Sequence, residues 1–326
     1  MALIDDLGPL GGEAARLREA LAAGPLRRTL TGLKGSSLAL LLARLDRELN
    51  GPARPGETGA CADGGAVDST AGADETDDAA TPWVILTSQA SEAEALAEDL
   101  QNLGAPGVHF LPELEILPYD RHSAERGIVS QRVEVLEALA DGRARFLLAS
   151  ARAWMRRVMP PEELLAARFT LRPGMELNLD DLAARLEALG YRRVGLVEEP
   201  GDFAVKGGIV DLFTPTCEEP HRLEFFDEEL ESLRRFDPAT QRSTGRVDEV
   251  RVLPCTQVLM AEANRRRAVR ELRLAHPQDS VLVEDLAGSF LEGVAFEGID
   301  RHSAWFVDEV PLARYLPARH RLVLLD

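Results

Sequence analysis

The sequence predicts an α/β protein: a doubly wound parallel sheet with an inserted small α+β domain that carries an antiparallel sheet. Three observations point there. Short apolar runs (Trp83–Leu86 and Phe146–Ala149, with Val108–Leu111 interrupted only by His109) alternate with helical periods, the pattern of parallel strands covered on both faces. A Gly-containing connection, Thr29 to Ala39, stands where a strand should turn into a helix. Near Phe169 the texture changes to strand-like runs separated by turn residues. The expected organisation is a first domain over residues 1–167, a small domain over 168–254, and a return over 255–326 that completes the first.

The helical periods come first. Glu13 to Ala23 places Ala14, Leu17 and Leu21 on one stripe, and Leu38 to Leu49 aligns Leu38, Leu41, Leu42, Leu45 and Leu49. Gly51 to Pro82 follows, almost without bulky apolar groups and with seven acidic residues against Arg54. Such a segment buries too little surface to offset chain entropy, so a disordered insertion is expected. Ser91 with Glu94 reads as a capping box for a helix to about Asn102, and Ile128 to Leu139 is the next helix. In the small domain, Leu179 to Leu189 is an amphipathic helix capped by Asn178 and stopped by Gly190. Strands are expected at Arg192–Val194, Ala204–Phe213, His221–Phe226, Ser232–Phe236 and Gly245–Leu253, with Asp227-Glu228-Glu229 as a hairpin turn. A helix over Ala261–Leu274 and short strands at Val281–Val283 and Arg321–Leu325 close the chain.

The connection before the second helix resembles a phosphate loop taken apart. A working loop reads G-x-x-x-x-G-K-[ST], with backbone N–H groups around the phosphates, Lys on the terminal phosphates and a hydroxyl on Mg²⁺. Counting from Gly32, and past Gly35 and Ser36, the second Gly becomes Ser37, the Lys becomes Leu38 and the hydroxyl residue becomes Ala39. Lys34 falls four residues early. From these residues alone an ordinary glycine turn and a vestigial nucleotide site both stand, and neither hydrolyses ATP.

Composition excludes several classes. Net charge is −18 over 326 residues, so bulk charge repels polyanions. Cys61, Cys217 and Cys255 are odd in number and dispersed, which argues against a disulfide framework and against a four-ligand zinc site and suits a reducing cytoplasm. No two of the six histidines are four residues apart, so metal catalysis has no support. The acidic runs Glu198-Glu199 and Asp227-Glu228-Glu229 read as solvated turn charge rather than an acid/base pair.

One strand carries a candidate binding face. Along His221–Phe226, alternation puts Leu223 and Phe225 on one side and Arg222, Glu224 and Phe226 on the other. An exposed aromatic beside an arginine is a common interface composition, and Lys206 on a neighbouring strand would enlarge the patch. The plainer alternative is an Arg222–Glu224 ion pair with Phe226 tucked under a loop. Alternation alone leaves both open.

Several strings together resemble the UvrB-like module of bacterial transcription-repair coupling factors: Leu117-Pro118-Tyr119-Asp120, Ile128-Val129-Ser130-Gln131-Arg132, Gly201 to Phe213, Arg222 to Leu230, and Ser232 to Asp237, in that order. The match runs from about Thr29 to Asp326. UvrB itself has an intact phosphate loop and a long β-hairpin; here the loop is broken, and Tyr119-Asp120 leads almost directly to the Ile128 helix. The resemblance implies a vestigial nucleotide site and a small domain that docks on UvrA, the damage-recognition ATPase. The family's docking positions fall on Lys206, Arg222 and Phe226; relatives carry Arg at the first, and Lys keeps the charge without the planar fork. It further implies a cytoplasmic bacterial protein that recruits UvrA to stalled RNA polymerase, and that masks this surface until DNA is engaged. ATP, Mg²⁺, RNA polymerase and DNA would then be handled by a motor and other regions beyond residue 326. A UvrB-type helicase fragment and a stand-alone UvrA-binding adaptor are the alternatives.

Overall fold

In a computed structural model the described residues are 15–16, 18–19, 36–52, 80–114, 124–278, 280–293 and 298–325. The Gly32 and Gly35 positions, most of the Glu13–Ala23 helix, the bulk of the 51–82 insertion and the Leu117–Asp120 string lie outside them.

The first helix, α1 (Ser36–Asn50), turns Ala39, Leu42, Ala43 and Leu45 inward. It packs on α2 (Ala90–Asn102), which follows strand β1 (Trp83–Thr87). Strand β2 (Val108–Leu111), helix α3 (Arg126–Ala140) and strand β3 (Phe146–Ser150) continue the alternation. Every residue of β1 and β3 is buried, as expected of central strands covered on both faces. At the start of α2 the cap differs from the sequence expectation. Glu92 reaches back to the Gln89 N–H at 3.3 Å, while Ser91 and Glu94 sit inside the helix.

Short helices α4 (Ala151–Met155) and α5 (Pro161–Ala167) lead into β4 (Phe169–Leu171) and α6 (Leu179–Ala188). The Asn178 side chain accepts from the N–H groups of Asp180 and Asp181, capping α6 as its sequence predicts. Gly190 ends it in the left-handed region (φ 86°), where a Cβ would also lie 2.8 Å from Thr256 Cγ2.

A six-stranded sheet follows, built from β5 (Arg192–Arg193), β6 (Asp202–Lys206), β7 (Ile209–Leu212), β8 (His221–Phe226), β9 (Glu229–Phe236) and β10 (Ser243–Arg246). Its order is β10-β9-β8-β7-β6-β5. The run expected as one strand, Ala204–Phe213, is the hairpin β6–β7, broken at Gly207-Gly208 where Gly207 takes φ 61°. Strand β9 begins at Glu229, three residues before the expected start. Register slips opposite the Glu224–Phe225 step, leaving Glu231 as an extra residue. The bulge lets Leu230 and Leu233, three apart, both face inward.

Strand β11 (Val250–Val252) pairs antiparallel with β4, so the chain passages into and out of the six-stranded unit lie side by side. Helices α7 (Glu262–Ala275), α8 (Ser280–Glu292) and α9 (Ser303–Phe306) follow, and β12 (Arg321–Leu324) pairs parallel with β1. The first sheet therefore has the order β12-β1-β3-β2, all parallel. Val281–Val283, expected as a strand, is part of α8. Its run continues through Ala287 and Phe290, both buried at helical spacing, and that periodicity decides the element.

Two polar networks fix the layout. Buried Arg145 donates to Asp46 at 3.1 Å and to the carbonyls of Gly51 and Pro52, and Trp83 Nε1–H also donates to Asp46. Burial raises the Asp46 carboxyl above its ordinary value, against the pull of Arg145. The Asn50 amide exchanges two hydrogen bonds with the Thr81 backbone, pinning together the feet of the 51–82 insertion. At the neck, Arg168 donates to Asp141 at 2.6 Å and Arg251 to the buried Glu137 at 2.7 Å, both acceptors near the end of α3. Arg168 precedes β4 and Arg251 lies in β11, so these bonds tie the six-stranded unit to the parallel one. Cys255 is free and buried.

Candidate docking face on the six-stranded sheet

Alternation assigns the two faces of this sheet. Leu223 and Phe225 of β8, with Val210, Leu212, Leu230 and Leu233, point into the main core with Leu182 and Leu186 of α6. Arg222, Glu224 and Phe226 point the other way. Opposite them in register, Asp211 faces Arg222, Ile209 faces Glu224, and Lys206 faces Ile209. The three residues named from sequence therefore share one face, spread over β6 and β8.

That face is divided. At one end, Ala204, Phe213 and Phe236 project from β6, from just past β7 and from β9, and join Val197 in a small second core, with Val194 packed against it. The segment bearing Val194 and Val197 covers this end. The other end holds Lys206, Ile209, Glu224, Ser232 and Phe226. There the Phe226 ring is 71% exposed, an unusual state for a large apolar side chain in a strand.

Arg222 sits on the border, and its pairing corrects the Arg222–Glu224 alternative read from sequence. Its guanidinium donates to Asp211 through Nε (2.7 Å) and Nη2 (2.9 Å), to the Gln241 carbonyl through Nη1 (3.2 Å), and lies 4.7 Å over the Phe236 ring. The side chain is 20% exposed. Its partner is thus Asp211 rather than Glu224, and it is not a freely projecting fork. The hydrogen bonds it donates to Asp211 hold its pKa above the ordinary guanidinium value. Three of the five N–H groups of this arginine are engaged. Glu224 is held by the Ser232 hydroxyl and by Arg234 at 3.5 Å.

Lys206 is exposed at the end of β6, with no ion-pair partner among the described residues. The hairpin that carries Phe226 turns at Asp227, which takes φ 56°; short polar side chains tolerate that region better than most. Sequence reasoning missed Asp211. The signal was there: an acid inside the apolar run Ile209–Leu212 needs a buried partner, and the strand beside it supplies one.

Near the start of α1, Leu38 packs against the core that contains Ala39, Leu42 and Trp83, and Ala39 is fully buried. Ser36 Oγ donates to Asp99 of α2 at 3.1 Å. Among the described residues no helix is long and apolar enough to cross a membrane.

Residues 169–257 match the family model described as the UvrB interaction domain, and the divided face lies within that span. The transcription-repair-coupling factor of Myxococcus xanthus is 35% identical over 267 residues, 79% of this chain and 20% of that protein. The factor of Escherichia coli K12 is 31% identical over 265 residues, 79% of this chain and 23% of that protein. The Haemophilus influenzae factor is 35% identical over 171 residues, 52% of this chain and 15% of that protein. The chain thus spans about a fifth of the length of such relatives. By this match and these relatives the chain belongs with the transcription-repair-coupling factors, as a UvrB-like module built around a UvrB interaction domain.

Proposed function

We propose that this chain is a recruiting module: the open half of its six-stranded sheet docks UvrA, bringing the damage-recognition ATPase to stalled RNA polymerase. The observation that carries the reading is Phe226, mostly solvent-exposed on a strand whose other phenylalanine is buried, with Lys206 and Arg222 on the same face. Such a ring gains most when it fills a partner's apolar pocket, and truncating a central anchor of that kind costs on the order of 2 kcal/mol. Lys206 supplies an unspent positive charge. Arg222 contributes direction, because its charge is already balanced by Asp211. Residues 168–254 are the docking domain in this reading. RNA polymerase and DNA would be engaged by sequence outside these 326 residues.

The parallel-sheet part acts as a scaffold without ATPase activity. A phosphate loop needs a lysine and a hydroxyl where this chain has Leu38 and Ala39, and both of those are committed to apolar packing. The isolated chain is expected to release no phosphate from ATP above background; turnover abolished by changing Gly32 or Gly35 would contradict this. Recruitment is tested by size-exclusion chromatography with purified UvrA. The unaltered chain should co-elute and Phe226→Ala should not. Failure of the unaltered chain to co-elute would remove the proposal.

A further inference from the structure

Ile209 opens β7 on the open half of the sheet and is 37% exposed. Its cross-strand neighbours are Lys206 on one side and Glu224 on the other. Phe226 lies two residues beyond Glu224 on the same side, which makes Ile209 and Phe226 diagonal neighbours about 7–8 Å apart. The backbone beneath them is stitched tightly. The Phe225 N–H donates to the Gly208 carbonyl at 2.7 Å, and a Cβ on Gly208 would stand 2.7 Å from the Phe225 carbonyl oxygen. The two apolar side chains therefore stand on one face of a hairpin end where the two backbones approach closely.

Charge polarises the patch around them. Glu224 is occupied by Ser232 and Arg234, and Asp211 by Arg222. Lys206 at one end and Glu229 at the other, opposite Phe226 in register, have no ion-pair partner among the described residues. We infer that Ile209 is a second apolar anchor of the docking face. The surface it fits on UvrA is an apolar depression that takes Ile209 and Phe226 together, with a carboxylate placed against Lys206 and a cation against Glu229. The inference rests on the docking reading and names an anchor and a polarity that reading does not contain. No ring or charge is needed at Ile209 itself; its part is apolar area beside Phe226.

The test titrates purified UvrA with the full chain carrying Ile209→Ala or Ile209→Thr, beside Phe226→Ala and Lys206→Glu. Threonine keeps the β-branch that suits a strand, so it controls for loss of local structure. Both Ile209 variants should melt as the unaltered chain does and bind about tenfold more weakly. The Ile209→Ala/Phe226→Ala double variant should lose less than the two single losses multiplied, as expected of side chains that fill one depression. Unchanged affinity of the Ile209 variants, with Phe226→Ala weakened, overturns the inference and leaves the docking reading standing. Fully multiplicative losses overturn the shared depression. If none of the variants changes binding, or the unaltered chain does not bind, both readings fall.

Discussion

The two ends of one sheet face differ more than any two regions of sequence that build them. Strands β6 to β9 run through both ends and contribute outward side chains at two-residue intervals, interrupted at the bulge in β9. At the covered end those side chains are Ala204, Phe213 and Phe236, closed over by Val194 and Val197. At the open end they are Lys206, Ile209, Glu224 and Phe226, the last mostly exposed to solvent. Arg222 stands between, one plane on Phe236 and its fork on Asp211. Alternation thus decides which face a residue takes, and a crossing segment decides whether that face is core or surface. The arginine at the boundary serves the fold, through Phe236 on one side and Asp211 on the other.

That contrast breaks most visibly at the covered end. Phe236→Ala should cost about 3–5 kcal/mol of stability, because a fully buried ring is lost from a core too small to collapse around the cavity. Urea unfolding measures it, and a loss below about 1 kcal/mol would mean the small core does not hold this end closed. The boundary comes next. Asp211→Asn should cost roughly 2 kcal/mol by leaving Arg222 partly buried without its counter-charge. The double variant Asp211→Asn/Arg222→Leu should recover part of that loss, since the penalty lies in the orphaned charge. If it recovers nothing, the pair contributes by packing and the boundary has been misplaced.

Much of this was legible in sequence, and the gaps share one cause. Trp83–Leu86 and Phe146–Ala149 announced buried parallel strands, because a run without polar residues has nowhere else to go. Asn178 and Gly190 announced the ends of α6 through local chemistry. The face of β8 followed from alternation, and so did the shared side of Arg222 and Phe226. What was not legible depended on non-local partners. The start of β9 was hidden because a bulge at Glu231 breaks the two-residue period. Val281–Val283 looked like a strand until Ala287 and Phe290 found a helical packing surface. The Asp211–Arg222 pair needs knowledge of register, since eleven residues separate the partners along the chain.

The central claim is that the open end is a docking surface and not an unfinished piece of core. Calorimetric titration of UvrA with Phe226→Ala, alongside its thermal unfolding, tests it most directly. Stability should stay within about 0.5 kcal/mol of the unaltered chain, as for a substitution at an exposed site. Affinity should fall by about 2 kcal/mol, a factor of roughly thirty. An unchanged affinity, or a loss of binding matched by a loss of stability, would contradict the account.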